Sequence, residues 1–136
     1  MKSTLNRMLF ILIGVMIAVT PTAYGGSAVK CAECGMTVDQ GSKFSASLTQ
    51  DGKHIDFCDI GDLLTYLNKR SLAPSIAQVK DHKTGEPIAA DKALYVRAEK
   101  KFRTPMGWGI AAFKNKEDAA SSGVLMDITE ILKAIK

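Results

Sequence analysis

Two stretches of this chain carry the same succession of hydrophobic periods, and that succession leaves few folds open. In the first, Lys43 to Leu48 alternates around Phe44, Ala46 and Leu48 with the period of a half-buried strand, and Asp51-Gly52 follows as a hairpin turn signal. Ile55 to Cys58 reads as a second short strand. Asp59 is placed to cap a helix in which Ile60, Leu63, Leu64 and Leu67 fall at i, i+3, i+4 and i+7. Pro74 closes this segment, and Ile76 to Val79 reads as a third strand. In the second stretch, Ala93 to Ala98 alternates as a strand and Gly109 to Phe113 supplies its hairpin partner. Asn115 caps a short helix that runs from Lys116 to about Ser122, Gly123 ends it, and Val124 to Met126 gives another strand. A terminal helix follows. Asp127 and Glu130 stand at the spacing of an N-terminal capping pair, and Ile128, Ile131, Leu132 and Ile135 make its apolar face.

A strand-strand-helix-strand unit of roughly forty residues is too small to bury a core easily by itself. The pattern therefore predicts an α+β fold in which two tandem small ββαβ units pack on each other as one body. Residues 43–81 form the first unit, and residues 92–136 form the second together with the C-terminal helix. Residues 82–91 are a polar joint containing Lys83-Thr84-Gly85 and Pro87. Residues 26–42 are a cysteine-rich N-terminal segment.

Residues 1–25 read as a signal peptide rather than as part of the fold. Lys2 and Arg7 give a positive start, Met8 to Val19 is an apolar run, and Thr20-Pro21-Thr22 breaks it before the small residues of Ala23-Tyr24-Gly25. The run is short for a bilayer span, so removal after Gly25 is expected, and an uncleaved segment would be the chain's one attachment to a membrane. Cys31 follows Ala28-Val29-Lys30, which is not a lipid-attachment context. Two of the charges behind the formal net charge of +4 belong to this leader. Lys and Arg are not clustered as a nucleic-acid footprint requires, so a nucleic-acid partner is excluded.

All three cysteines, Cys31, Cys34 and Cys58, lie beyond the leader. A bridge between Cys31 and Cys34 would close almost no loop and stabilise little, so this odd set points to metal or redox chemistry instead of a disulfide framework. Cys31-Ala32-Glu33-Cys34-Gly35-Met36 concentrates thiols and a thioether, the soft donors that a soft ion such as Cu(I) prefers. Met106 sits in Thr104-Pro105-Met106-Gly107-Trp108-Gly109, whose turn formers would present a side chain, whereas Met126 in an apolar strand reads as core. Cys58 reads as a small buried hydrophobe, Trp108 as packing or a solvent shield, and Glu33 as exposed. Asp59 and Asp62 read as a helix cap and its first-turn companion.

Cys34-Gly35-Met36 near the start of the mature chain resembles the cysteine-glycine-methionine motif of the NosL family. The similarity continues through Asp51-Gly52, Phe57, the Asp62 to Leu67 helix, Val79-Lys80-Asp81, Ala93 to Val96, Met106-Gly107 and Ala112-Phe113. It covers nearly all of residues 31 to 127. The resemblance implies two related ββαβ units and a periplasmic, non-enzymatic Cu(I)-binding accessory protein. Its partners would be nitrous oxide reductase or that enzyme's maturation and transport machinery. By position it makes Cys34, Met36 and Met106 the candidate copper ligands, with Cys31 as an auxiliary ligand or an oxidation-sensitive partner. The chain departs from the commoner family pattern in lacking a lipid-bearing cysteine and in adding Cys31.

Two other functions compete for the same residues. Cys31-x-x-Cys34 is also a thiol-disulfide oxidoreductase signature, although no helical period follows it as that chemistry requires. Cys31, Cys34 and Cys58 with His54 or His82 would supply the four donors of a structural zinc site.

Overall fold

A computed structural model of the chain describes residues 27–135. The expected signal peptide and its cleavage point lie outside the described residues. Among the described residues the architecture is α+β, with two antiparallel sheets and three α-helices.

The Asp51-Gly52 signal does what its chemistry dictates. Both residues have positive φ (50° and 72°), which matches the twist of a two-residue hairpin between β1 (Ala46–Gln50) and β2 (Lys53–Phe57). Asp59 then caps α1 (Ile60–Arg70), its side chain accepting from the Gly61 amide at 3.0 Å. Residues Ile60, Leu63, Leu64 and Leu67 are all buried. The chain returns through a single 3-10 turn at Pro74–Ile76 into β3 (Ala77–Lys80), which pairs with the free side of β1. A fourth strand, β4 (Pro87–Ala89), pairs with β3, giving the order β2-β1-β3-β4.

The second sheet is built around β5 (Leu94–Arg97), with β6 (Ile110–Phe113) on one side and β7 (Leu125–Met126) on the other. Helix α2 (Lys116–Ser122) connects β6 to β7. Helix α3 (Ile128–Ala134) begins with a full capping box, Asp127 and Glu130 each accepting the other's backbone N–H at 2.8 Å. The strand-strand-helix-strand order thus occurs twice, and in each sheet the first strand is the partner of the next two.

One core joins the two halves. Leu48, Phe57, Leu63, Leu64, Leu67 and Val79 from the first sheet and α1 are buried in the same cluster as Tyr95, Ile110, Ala112 and Ile131. Asp81 stitches the sheets together. It forms a parallel bridge with Ala112, and its buried carboxylate accepts from the Lys114 amide (3.1 Å), the Thr84 amide (3.1 Å) and the Thr84 hydroxyl (2.8 Å). A smaller cluster of Val96, Phe102, Ala111, Phe113 and Ala119 lies beside it, with Phe44 packed against it. His82 stacks among Phe44, Phe102 and Phe113.

Three boundaries differ from the sequence expectation for physical reasons. The first strand starts at Ala46, not Lys43, because Ser42 draws the preceding backbone into a local turn. Its hydroxyl accepts from the Phe44 amide, and its carbonyl accepts from the Ser45 hydroxyl at 2.8 Å. The third strand starts at Ala77 because Pro74 initiates the 3-10 turn. The region read as a polar joint holds β4. Gly85 at φ 80° lets the chain reverse, and the Asp81 amide donates to Glu86 at 2.8 Å, which closes a hairpin. Among the described residues no helix is long and apolar enough to cross a membrane.

Candidate metal centre

The segment before β1 folds into a tight loop. Lys30 and Thr37 bridge at its base, the Cys31 amide donates to Met36 at 2.8 Å, and the Gly35 amide donates to Cys31 at 2.9 Å. Gly35 makes the reversal possible with φ 76°. The Ala32 amide donates to the Asp56 carbonyl at 3.0 Å, which lays the loop over the end of β2. Cys58 lies there, immediately before the Asp59 cap, and Asp62 follows one turn into α1.

Four donor atoms converge as a result. The Cys31, Cys34 and Cys58 sulfurs and an Asp62 carboxylate oxygen all lie within 4.8 Å of one another, a spacing at which one ion could be held. The Cys31 thiol donates to Asp62 Oδ2 at 3.4 Å and the Cys58 thiol to the same oxygen at 3.6 Å. Cys34 Sγ lies 3.4 Å from Cys58 Sγ, and all three cysteines are free. Cys31, Cys58 and Asp62 are buried, while Cys34 is half-buried.

The second half of the chain reaches this site through α1. Asp59 Oδ2 accepts from the Met106 amide at 3.0 Å, and Asp62 Oδ1 accepts from Trp108 Nε1 at 3.0 Å. The Trp108 indole lies flush on Gly61, where a Cβ would come within 2.0 Å of its Cγ. The carboxylates of the first helical turn therefore tie the Met106 loop to the cysteine loop. Asp59 is both the helix cap and an anchor for that loop.

Burial sets the resting state of the thiols. It pushes the Cys34 thiol up, against the lowering effect of the Met36 backbone amide. Burial also pushes Cys58 up, well beyond the ordinary thiol range, and the neighbouring Cys34 and Cys31 add to the effect. Without a cation these groups are held as thiols, hydrogen-bonded to Asp62 and to each other. A thiophilic ion has to displace their protons to bind.

The sequence-derived candidates are placed as follows. Cys31 and Cys34 fall inside the convergent group. Met36 and Met106 are exposed (48% and 42%); the Met36 carbonyl accepts from the Cys31 amide in the cysteine loop, and the Met106 amide donates to Asp59. Met126 packs against the main core. Cys58 is buried as its apolar context implied, but it also points its sulfur into the group, and Asp62 is the non-sulfur donor. The signal that could have found both is the Cys58-Asp59-x-x-Asp62 spacing. Cys58 directly precedes the cap, Asp62 stands in the first turn of α1, and the Cys58 thiol donates to Asp62 Oδ2 at 3.6 Å. Glu33, read as exposed, pairs with Lys69 of α1. Neither histidine belongs to the group. His54 is exposed and meets Asp56 at 3.2 Å, and His82 lies in the aromatic cluster. The Cys31-x-x-Cys34 segment is a loop, not the start of a helix.

The model of the NosL family matches residues 25–123. The fold is similar to the crystal structure described as the copper chaperone NosL from Shewanella denitrificans. That likeness has a TM-score of 0.62 and 24% sequence identity, and covers 77% of this chain and 90% of that one. No curated protein matches the chain.

Proposed function

Because the chain belongs to the NosL family, we propose that it is an exported carrier that binds one Cu(I) ion and delivers it to another protein. The observation that carries this reading is the convergence of three cysteine sulfurs within 4.8 Å of one another, with Cys34 half-buried and Cys31 and Cys58 buried. A site of this kind suits a cargo ion. Soft sulfur donors retain Cu(I) against water and harder ligands. The half-buried Cys34 leaves a side from which an acceptor's ligand can enter before the donor's bonds break. The family assignment and the named copper chaperone of similar fold support the same reading.

In this reading Cys34 and Cys31 hold the ion, and Met36 and Met106 are the thioether ligands on the two bordering loops. Cys58 joins the set. The compartment is the periplasm, the client is nitrous oxide reductase or its maturation and transport machinery, and the role is carriage, not catalysis. The test is competition for Cu(I) with a chromophoric chelator under reducing, anaerobic conditions. One ion per chain is expected, with affinity reduced in Cys34→Ser and Met106→Ala and unchanged in the packing control Met126→Ala. Failure of the reduced protein to hold Cu(I) against the chelator would refute the reading.

The Asp62 oxygen favours a second reading. Three thiolates and one carboxylate are a donor set that tetrahedral zinc accepts, without either histidine. Metal content after purification under reducing conditions, together with chelation, separates the two. A carrier of Cu(I) holds copper and keeps its fold when stripped of metal, whereas a structural zinc site holds zinc and loses its fold on chelation.

A further inference from the structure

We propose that Cys34 and Cys58 form a dithiol pair that closes to a disulfide by exchange with a small disulfide, and that this closure disables the metal site. The claim about metal rests on the carrier reading above; the disulfide itself does not.

Cys31 and Cys34 would be the expected redox pair from their spacing, but the geometry selects a different one. Cys34 Sγ is in contact with Cys58 Sγ at 3.4 Å; the Cys31 sulfur lies within 4.8 Å of both, but its thiol donates to Asp62 Oδ2 at 3.4 Å. Access selects the order of events. Cys31 and Cys58 are buried and Cys34 is half-buried, so a dissolved disulfide meets Cys34 first. The Cys34 thiol gives up its proton to solvent as its sulfur attacks one sulfur of oxidised glutathione. A Cys34–glutathione bond forms, the glutathione S–S bond breaks, and one glutathione thiol leaves. Cys58, already against the Cys34 sulfur, then attacks it and expels the second glutathione. Its proton passes toward Asp62 Oδ2, which accepts the Cys58 thiol at 3.6 Å. The balance is two protein thiols and one disulfide in, one protein disulfide and two glutathione thiols out.

Closure would bind the loop before β1 covalently to the start of α1 and remove two of the three sulfurs from the donor group. Of that group Cys31 and Asp62 would remain, beside the Met36 and Met106 thioethers of the carrier reading. An exported protein meets an oxidising compartment, so such a carrier would be loaded only after reduction, and a bound ion would shield the pair from exchange.

The experiment treats the metal-free full chain with oxidised glutathione, then alkylates and maps it by mass spectrometry. The expected product is an intramolecular Cys34–Cys58 link with one alkylatable thiol, Cys31. The Cys31→Ser variant should form the same link, and Cys58→Ser should stop at a Cys34–glutathione mixed disulfide. A Cys31–Cys34 link, or intermolecular products alone, would overturn the pairing. Oxidised and reduced protein are then compared for Cu(I) affinity. The loss on oxidation should exceed the roughly 10–100-fold typical of removing an outer-shell partner. Equal affinity in the two forms would overturn the disabling step. If reduced protein binds no Cu(I) while the link still forms, the carrier reading alone fails.

Discussion

Replacing Gly61 with alanine tests the contact by which the two halves of the chain meet at the site. Helix propensity alone predicts a gain, since alanine is better than glycine in a helix by about 1 kcal/mol. Packing predicts the reverse. A Cβ at residue 61 would stand 2.0, 2.3 and 2.5 Å from Trp108 Cγ, Cδ1 and Cδ2. Carbon atoms prefer about 3.5–4.0 Å, so the indole has to retreat by more than about 1 Å. That retreat breaks the 3.0 Å bond from Trp108 Nε1 to Asp62 Oδ1. Overpacking costs about 1–3 kcal/mol and loss of a hydrogen bond to a charged group about 1.5–3 kcal/mol. With the propensity gain subtracted, Gly61→Ala is expected to lose about 1.5–5 kcal/mol. Urea unfolding followed by circular dichroism gives the stability. Trp108 is the single tryptophan, so its emission reports the indole directly and should shift to the red. A variant as stable as the parent or more so, with unchanged emission, would refute the stacking of Trp108 on α1.

Asp81→Ala removes a buried carboxylate that accepts three hydrogen bonds and joins the sheets. A loss of about 2–4 kcal/mol in urea unfolding is expected, and a change under 0.5 kcal/mol, about the size of a surface effect, would show that the junction lies elsewhere. His82 is held below its ordinary value of 6.5, first by burial and then by Lys43, with Asp81 opposing. Its folded form resists the proton, so its contribution to stability is complete above about pH 6.5 and is lost as pH falls through 6.5 toward the depressed value. His82→Phe should flatten that part of the stability profile; an unchanged slope would assign it to other groups. Burial raises the Cys34 and Cys58 thiols. Protons therefore compete with Cu(I) throughout the neutral range, and the measured affinity should fall steadily as pH is lowered, by about tenfold per pH unit for each proton displaced. A pH-independent affinity between 6 and 8, roughly the range in which these thiols are protonated, would mean that no thiolate is a ligand.

Much of the fold was legible because local chemistry and global packing agree. Asp51-Gly52, the Asp59 cap with its i, i+3, i+4, i+7 leucine and isoleucine face, and the Asp127–Glu130 box each specify their element without help from elsewhere. Strand β4 was not legible. A three-residue edge strand offers only Ile88 as an inward apolar signal, and its pairing depends on the turn that Gly85 permits. The site was legible where the ligand types stand together in sequence, at Cys31 and Cys34. Cys58 and Asp62 were harder to see because each has an adequate structural role alone, as a buried small residue and as a first-turn acid. Their joint meaning appears only when the Ala32–Asp56 hydrogen bond sets the cysteine loop over the start of α1. The Trp108–Asp62 bond was invisible for the same reason, since 46 residues separate its partners.

The most direct measurement is X-ray absorption at the copper edge of the reduced protein loaded with one equivalent of Cu(I). The account predicts a monovalent ion with a sulfur first shell that loses sulfur in Cys34→Ser and is untouched in Met126→Ala. A shell of nitrogen and oxygen, or a sulfur shell that survives Cys31→Ser and Cys34→Ser alike, would contradict it.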